Sequence, residues 1–388
     1  MPVTVKAPLR PFEYMAWAKA VPRGARYNLT ASGMADAALS TSHGDVPAPR
    51  SPDDPAAELG WADAMARRDV AWDSVDALTQ AVAERYDVEP SLVTPTLGAS
   101  LAITHALIAL VRAGDHVVVE RPTYEPLHRA PEILGAQVSR LERTHDDGWA
   151  VVPERLAQLL TSRTKAVLLT NLHNPSGVAM DAANLKAIAE LAARVGAMVL
   201  VDEVYLDFDF SVAADAPIQP ACRVAPNCIS WSSTTKAFGH SSLRAGWIVS
   251  ADPDAARAIR AATDYLHVYP PVATGTMGAR VLRDSETYQR RAQLASSTGR
   301  RIMERWIEAE SRIQWVPPTF GITSVLKLPD RMSDTAFAEH LRDRYETQVV
   351  PGSMFEAQGF VRVSFGIDPG TLEQGLANIS AALDDLAE

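Results

Sequence analysis

The feature that most constrains the fold is a regular alternation of short apolar runs with helical stretches between Leu92 and Ser250. Runs such as Val117-Val118-Val119 are apolar at every position. Strands of this composition have both faces covered by helices, as is typical of parallel sheets. The alternation therefore predicts an α/β fold built on a mostly parallel, doubly wound sheet.

The individual elements follow from the hydrophobic period and the length of each run. The predicted strands are His116 to Glu120, Ala136 to Leu141, Lys165 to Thr170, Ala197 to Asp202, Cys228 to Ser232 and Leu243 to Ser250. The predicted helices among them are Ala99 to Val111, Pro153 to Leu160 and Ala182 to Val195. An earlier helix is predicted from about Trp72, with its apolar and aromatic side chains at Val75, Leu78, Val82 and Tyr86.

After about Asp252 the order of elements becomes mixed. Helices are predicted at Asp254 to Thr263, Ser285 to Ser311, Asp334 to Tyr345 and Thr371 to Leu386, and strands at Ile322 to Leu328 and Val361 to Phe365. This order predicts a smaller α+β domain beside the large one.

We expect three parts in the 388-residue chain. Residues 1–50 form an N-terminal arm that is part of the small domain, residues 51–278 the large domain, and residues 279–388 the small C-terminal domain. Tyr14 to Ser51 is rich in Ala, Gly, Ser and Pro, which predicts irregular structure. Four prolines fall between Pro47 and Pro55, which indicates a linker or a surface excursion.

Composition excludes several classes of function. The net charge is −10, so we expect no binding to nucleic acid or to an anionic membrane. Cys222 and Cys228 have no clustered His or Cys partners, which predicts reduced thiols and no metal site. The first 13 residues contain no apolar run long enough for a secretory signal, and no stretch is long enough to span a membrane. We therefore expect a cytoplasmic protein.

One lysine, Lys236, has neighbours that are unusual for a surface lysine. The stretch from Trp231 to Trp247 around it is small, hydroxylic or apolar, so the amine is expected to be partly desolvated. A desolvated lysine is suited to forming a Schiff base. Taken alone, the segment is more typical of a lysine in a turn after a strand.

Two other segments are suited to holding a planar ligand with a phosphate. Gly98, Ala99 and Ser100 open an apolar helix, and a helix N-terminus offers unpaired N–H groups and a positive dipole to an anion. Ser100 is also an ordinary N-cap residue. Tyr124 follows a predicted strand, at the sheet edge where ligands bind in such folds, and an aromatic ring there can stack on a planar group.

Polar residues follow two further strands. Asn174 lies in Asn171 to Gly177, which could be no more than a turn. Asp202 ends a buried apolar strand, where a carboxylate is costly without a partner, so it is expected to face a ligand. Tyr205, three residues later, can reach the same place.

The order of these groups resembles that of the class I/II aminotransferases of the fold-type I family, which use pyridoxal 5′-phosphate. The resemblance runs from about Asn28 to Ser364. Its most specific segments are Asn174-Pro175-Ser176-Gly177, Asp202-Glu203-Val204-Tyr205 and Ser233 through Lys236 to Arg244.

The resemblance implies roles for the cofactor-binding residues. Lys236 would hold the cofactor as a Schiff base and then move the proton at the substrate α-carbon, while Asp202 would pair with the pyridine nitrogen. Asn174 and Tyr205 would hydrogen-bond the phenolate oxygen of the ring. The ring-stacking aromatic would be Tyr124, and the phosphate cradle would be Gly98, Ala99, Ser100, Ser233 and Arg244.

The resemblance also implies the substrate and the assembly. Arg362 matches the residue that binds the substrate α-carboxylate with its planar guanidinium, although it could also be an exposed strand arginine. Gly33 matches, more loosely, a glycine whose backbone touches the same carboxylate. An amino acid and a 2-oxo acid are the implied substrates of a ping-pong cycle, and a homodimer with shared active sites is the implied assembly.

The chain departs from the family pattern at one place. Tryptophans stand where the family keeps a tyrosine contributed by the neighbouring subunit, in Glu58-Leu59-Gly60-Trp61 and in Ala71-Trp72-Asp73-Ser74. His173, His240 and His267 are expected near the site as supporting or loop residues.

Two other functions remain open on the sequence. The same site could catalyse elimination, replacement or cyclisation of an amino acid, because fold alone does not decide the outcome. A ligand-sensing regulator built on such a domain would need a DNA-binding module, and the acidic charge disfavours it.

Overall fold

The computed structural model describes residues 12–20, 25–37, 68–208, 218–330 and 332–386. The helices are α1 (Glu13–Ala20), α2 (Arg68–Tyr86), α3 (Ala99–Leu110), α4 (Glu125–Ile133), α5 (Pro153–Leu159), α6 (Ala182–Ala193), α7 (Ala221–Val224), α8 (Pro253–Leu266), α9 (Val272–Arg283), α10 (Ser285–Ala309), α11 (Asp334–Tyr345) and α12 (Pro369–Asp385). The strands are β1 (Tyr27–Asn28), β2 (Val93–Leu97), β3 (His116–Arg121), β4 (Gln137–Glu142), β5 (Thr164–Thr170), β6 (Met198–Asp202), β7 (Cys228–Ser233), β8 (Ala245–Ser250), β9 (Gln314–Trp315), β10 (Thr323–Lys327), β11 (Thr347–Gln348), β12 (Val350–Pro351) and β13 (Phe360–Ser364).

A seven-stranded sheet lies at the centre of the larger region, in the order β2-β8-β7-β6-β5-β3-β4 within the described residues. The strands from β3 to β7 pair in parallel. β8 is antiparallel to both of its neighbours, β7 and β2. The prediction of a mostly parallel sheet is therefore confirmed.

Consecutive residues of one strand reach two different cores, which explains the uninterrupted apolar runs. Val117 and Val119 pack with residues of α3 on one face of the sheet. Val118 packs with Leu185 and Ile188 of α6 on the other face. Both faces are covered by helices, as the sequence predicted.

A second, smaller sheet lies in the C-terminal part, in the order β12-β13-β10-β9, and its pairs are antiparallel. The N-terminal segment joins this part, because Tyr27 pairs with Thr347 in parallel and Leu29 packs in the same apolar cluster as Leu376 of α12. The domain boundaries after residues 50 and 278 remain predictions, and the first of them lies outside the described residues.

The structure corrects the expected elements at several places. Residues 13–20, within the arm expected to be irregular, form α1. The sequence reading also missed α4 and α9; α4 contains Pro126 near its start and Pro131 inside, which argue against a helix in a sequence pattern. Pro95 lies within β2, a strand at the edge of the sheet, where proline is tolerated.

Some predictions fall outside the described residues, namely the linker from Pro47 to Pro55 and the departure at Glu58 to Trp61. Across the described helices, none is long and apolar enough to cross a membrane. The described ranges also contain no cluster of three His, Cys, Asp or Glu side chains that could hold a metal ion.

Candidate active site

A cavity of about 560 Å³ lies at the carboxyl ends of the parallel strands. Thr170, Asp202 and Ser233, the last residues of β5, β6 and β7, all line it. The other lining residues among those described are Phe12, Met15, Ala99, Ser100, Ile103, Tyr124, Pro126, Asn174, Val204, Tyr205, Thr235, Lys236 and Arg244. Because parallel strands end at one edge, side chains distant in sequence meet there.

Lys236 lies in this cavity opposite a buried carboxylate. Burial lowers the pKa of Lys236 to about 8 and raises the pKa of Asp202 to about 6. The Lys236 amine donates a hydrogen bond to Ser32 Oγ at 3.0 Å and lies 5.5 Å from the centre of the Tyr205 ring. The lysine therefore has a sizeable neutral fraction slightly above neutral pH, which nucleophilic attack requires.

An anion cradle is built at the start of α3. Gly98 precedes the first turn with φ of 78°, a left-handed conformation that favours glycine. A Cβ at Gly98 would overlap the guanidinium of Arg244, so the arginine lies directly against this backbone. Ser100 and Ser233 line the cavity beside it. Free N–H groups, the helix dipole and a fixed positive charge together suit a phosphate.

Tyr124 lines the cavity between β3 and α4. Phe12 packs edge-on against its ring at 5.3 Å between centroids. Asn174 lies in the turn after β5, and its backbone N–H donates to Thr170 Oγ1 at 3.1 Å. Its side-chain Oδ1 accepts from Arg362 Nη1 at 3.4 Å.

Arg362 comes from β13 of the smaller sheet and is 2% exposed, so the alternative of an exposed strand arginine is wrong. It donates from Nη2 to the Tyr14 hydroxyl at 3.2 Å and to the Thr30 carbonyl at 3.3 Å, over the ring of Phe355. Arg362 does not itself line the cavity, but it contacts Asn174, which does.

The sequence reading missed the contribution of the N-terminal segment. Phe12 and Met15 of this segment line the cavity, and Ser32 holds the Lys236 amine. The Tyr205 hydroxyl donates to the Ser32 carbonyl at 2.8 Å rather than pointing freely into the cavity. Within this segment, the sequence predicted only Gly33 near the substrate. In the structure, a Cβ added to Gly33 would lie 3.3 Å from the Lys236 Cα, so Gly33 packs closely against the lysine backbone.

The three histidines expected near the site do not line the cavity. His173 is buried behind the Asn174 turn, where its ring bonds Ser176 Oγ at 2.6 Å and the Pro122 carbonyl at 3.0 Å. His240 packs against Tyr288, and His267 against His105. This agrees with the expectation that the three histidines are supporting or loop residues, and His173 supports the turn that carries Asn174.

Trp72, one of the tryptophans in the departure from the family pattern, does not line the cavity either. It is 44% exposed and packs against Tyr269, at 5.3 Å between ring centroids.

The described residues fit pyridoxal phosphate group by group. Lys236 offers a buried amine to an aldehyde and Asp202 a buried carboxylate to a ring nitrogen, while Arg244 and the start of α3 suit the phosphate. An α/β sheet with this set at its carboxyl edge defines a pyridoxal-phosphate-dependent enzyme of fold type I.

Comparison with known proteins gives the family. The profile of the family "Aminotransferase class I and II" matches residues 66–379. Capreomycidine synthase from Streptomyces vinaceus is 29% identical over 79% of this chain and 79% of its own. A probable aspartate/prephenate aminotransferase from Aquifex aeolicus is 23% identical over 80% of this chain and 82% of its own.

A solved structure gives the same answer. A PLP-dependent aminotransferase from Streptococcus suis superposes with a TM-score of 0.83 at 25% identity, covering 98% of this chain and all of that one. The chain belongs to the class I and II aminotransferase family. It is a pyridoxal-phosphate-dependent aminotransferase, which transfers the amino group of an α-amino acid to a 2-oxo acid by a ping-pong mechanism.

Proposed function

We propose that Lys236 is the lysine that carries the cofactor as a Schiff base and that its Nζ then moves the proton at the substrate α-carbon. The observation that carries this proposal is the buried amine, whose pKa is lowered by burial to about 8, in a cavity shared with Asp202. When bound, pyridoxal phosphate supplies an electron sink for the α-carbon. An amine that titrates near 8 can both accept and return a proton at neutral pH.

The remaining residues hold and orient the cofactor in this proposal. Asp202 would keep the pyridine nitrogen protonated, Asn174 would donate to the phenolate oxygen, and Tyr205 would donate to it by turning its hydroxyl away from the Ser32 carbonyl. Tyr124 stacks on the ring. The phosphate is bound by the backbone of Gly98 and Ala99 together with Ser100, Ser233 and Arg244. Their common position on one cavity supports these assignments.

A covalent test identifies the lysine. Reduction of the holoenzyme with sodium borohydride makes a Schiff base permanent, so the tryptic peptide containing Lys236 should gain the mass of a pyridoxyl group. Lys186, an exposed lysine of α6, serves as the internal control and should remain unlabelled. A pyridoxyl group on another lysine would refute the assignment.

We also propose that the amino donor has an uncharged side chain, with its α-carboxylate bound by Arg362 and the Gly33 backbone. Among the described residues that line the cavity, the charged ones are Asp202, Lys236 and Arg244, which the cofactor uses. The wall formed by Phe12, Met15 and Pro126 is apolar. A charged donor side chain would be desolvated there without a partner.

A donor screen tests this specificity. With a fixed 2-oxo acid acceptor, kcat/KM for uncharged donors should exceed that for aspartate and glutamate by at least about tenfold, the effect of about 1.4 kcal/mol. Equal kcat/KM values for glutamate and for an aliphatic donor would contradict the proposal.

The likeness to capreomycidine synthase favours a second outcome on the same site, cyclisation or elimination in place of transfer. Mixing the holoenzyme with an amino acid and no 2-oxo acid distinguishes them. Transfer leaves the cofactor in its amino form and changes the absorbance permanently. Elimination or cyclisation returns the original absorbance after the amino acid is consumed.

We propose further that the protein works as a homodimer in the cytoplasm. Val268 and Trp72 are large apolar side chains that are 50% and 44% exposed and line one cleft bordered by α2 and α8, and Tyr265 of α8 is 89% exposed. Exposed apolar patches mark association surfaces. Both cysteines are free and buried, as in a reducing compartment. Sedimentation equilibrium of the wild type and of Tyr265→Glu tests the dimer, which the variant should weaken.

A further inference from the structure

A fully buried ion pair lies behind the cavity, and none of the roles proposed for the cavity residues involves it. Arg143 Nη1 donates to Glu120 Oε2 at 2.7 Å, and the side chains of both residues are 0% exposed. Arg143 Nε also donates to the Trp149 carbonyl at 2.6 Å. Two buried charges are costly to desolvate, so such a pair is weak evidence for stability and calls for another role.

The pair is connected to the cavity by a continuous chain of hydrogen bonds. Thr170 Oγ1 donates to Glu120 Oε1 at 2.5 Å. The same hydroxyl accepts from the backbone N–H of Asn174 at 3.1 Å, and Asn174 Oδ1 accepts from Arg362 Nη1 at 3.4 Å. The chain therefore runs from one buried arginine to another, with Thr170 and Asn174, both lining the cavity, at its centre.

The direction of donation is fixed by the chemistry of each group. A hydroxyl has one proton, and an ionised carboxylate can only accept. With Glu120 ionised, the Thr170 proton points at the carboxylate and its lone pairs face the Asn174 N–H. Burial raises the pKa of Glu120, and the adjacent charge of Arg143 opposes this rise and favours the ionised form.

The other side of the same turn is held by His173. Burial and the charge of Arg143 keep the pKa of His173 well below its usual range, so its ring is neutral. The ring bonds Ser176 Oγ and the Pro122 carbonyl. The turn that presents Asn174 is thus supported at both ends by buried groups next to Arg143.

We propose that Glu120 is a positioning residue, which together with Arg143 orients the Thr170 hydroxyl and so fixes the Asn174 backbone, from which the Asn174 side chain reaches Arg362 and the cofactor. This inference rests on the proposed function for the role of Asn174. Glu120 touches neither ligand; it acts through Thr170. A fixed Asn174 lowers the free energy of binding because less side-chain freedom is lost when the cofactor and the α-carboxylate bind.

The test uses variants that avoid a lone buried charge. Glu120→Leu with Arg143→Met removes both charges while keeping apolar volume, a change that folded proteins often tolerate. Thr170→Val removes the hydroxyl with nearly the same shape. Each is expected to raise the dissociation constant of pyridoxal phosphate and the KM of the amino donor by about 3- to 10-fold, as for one lost hydrogen bond, with a smaller change in kcat.

A double-mutant cycle then separates positioning from general destabilisation. If Glu120 acts through Thr170, adding Thr170→Val to the charge-free pair should cause little further change, because the two effects are not additive. The proposal would be overturned if the fold-changes of Thr170→Val and of the Glu120→Leu, Arg143→Met variant multiplied in the triple variant. It would also be overturned if the Glu120→Leu, Arg143→Met variant folded and kept the wild-type dissociation constant and KM.

A matched control removes a different buried carboxylate. Glu310 is 6% exposed and bonds Arg312 at 2.7 and 2.8 Å, away from the cavity. Glu310→Gln should lower Tm without changing either binding constant, and a change of both constants in this control would also overturn the proposal. Failure of the proposed function would be seen separately, because borohydride reduction of the wild-type holoenzyme would then label a lysine other than Lys236.

Discussion

The two walls of the cavity are built in different ways. The sheet wall consists of Ser100, Tyr124, Asn174, Asp202, Ser233, Lys236 and Arg244, which follow strand ends or open helices of one α/β unit. The N-terminal wall consists of Phe12 and Met15, which line the cavity, together with three residues that do not line it: Tyr14 and Arg362, which bond each other, and Ser32, which accepts from Lys236. The first is set by the register of a buried sheet, whereas the second is assembled from segments that are 204 to 348 residues apart in the chain.

The N-terminal wall is held by contacts with distant segments of the chain. α1 has only eight residues, too short to be stable alone in water. Its first N–H groups, at Glu13 and Tyr14, donate to Glu125 Oε2 at 2.8 and 3.4 Å. The wall set by the sheet is therefore suited to chemistry, and the wall built on α1 and Arg362 is suited to choosing and holding the substrate.

The largest expected effect comes from the sheet wall. Lys236→Ala should lower kcat by at least about 10⁴-fold and abolish the cofactor absorbance attached to the protein, because both the covalent link and a proton transfer worth about 10²–10⁴-fold are lost. Steady-state assays and absorbance spectra after gel filtration measure it. Lys186→Ala is the control. A Lys236→Ala variant whose kcat is within tenfold of the wild-type value would show that Lys236 does not carry the chemistry of the sheet wall.

The next largest effect is expected where the two walls meet. Arg362→Leu should raise the KM of the amino donor by about 10- to 150-fold, the range for losing a charged hydrogen bond of about 1.5–3 kcal/mol. Arg362→Lys should recover only part of it, since an ammonium lacks the planar fork. Arg301→Leu, on the exposed face of α10, controls for loss of charge. An unchanged KM would show that the carboxylate is bound elsewhere.

The sheet wall could be predicted from the sequence because its residues sit at fixed offsets from apolar strands. Asp202 ends β6, as expected, and Ser233 ends β7 one residue after the predicted end, and parallel strands bring such ends together without further information. The same holds for Gly98, where the left-handed turn into α3 requires glycine.

The N-terminal wall could not be predicted in this way. Apart from Gly33, which was expected near the substrate carboxylate, the sequence around Tyr14 and Ser32 does not indicate that they meet Arg362 and Lys236, because these contacts depend on how distant segments pack. The buried pair of Glu120 and Arg143 was missed for the same reason, since its two members belong to different stretches of chain. Local sequence patterns are sufficient to place the ends of the strands, whereas contacts between distant segments depend on tertiary packing.

A smaller effect concerns the pH dependence of the sheet wall. Burial lowers the pKa of Lys236 from 10.5 to about 8. The rate at which the cofactor-free protein takes up pyridoxal phosphate should rise about tenfold from pH 7 to pH 9 and then level, as the neutral amine becomes dominant. Stopped-flow absorbance measures this rate. A rate that climbs nearly tenfold per pH unit from pH 7 to about pH 9.5 and levels only above about pH 10.5 would indicate a solvated lysine.

The same shift has a consequence for stability, with a defined sign. The folded protein binds fewer protons at Lys236 than the unfolded chain between pH 8 and 10.5, so this residue makes the cofactor-free protein more stable as pH rises through that window. The contribution should be absent from Lys236→Met, which keeps the apolar stem and has no charge. Urea unfolding of both proteins at pH 7.5 and 9.5 measures the difference.

The smallest expected effect concerns Tyr14 of the N-terminal wall, and it tests whether this wall serves binding alone. Burial alone would raise the pKa of Tyr14, but the charges of Arg362 and Lys236 outweigh it and lower the pKa, which indicates that the phenol lies close to both. Tyr14→Phe keeps the ring over Arg362 and loses only the hydroxyl. We expect the donor KM to rise about 2- to 10-fold with little change in kcat, since one hydrogen bond of about 0.5–1.5 kcal/mol is lost.

Tyr345→Phe, which removes a hydroxyl that bonds Asp385 at 2.8 Å away from the cavity, is the matched control for this substitution. If Tyr14→Phe instead lowers kcat more than tenfold at unchanged KM, the hydroxyl takes part in proton transfer with Lys236. The N-terminal wall would then take part in the chemistry as well as in substrate binding, because Tyr14 of the eight-residue helix α1 would act on the reacting atoms.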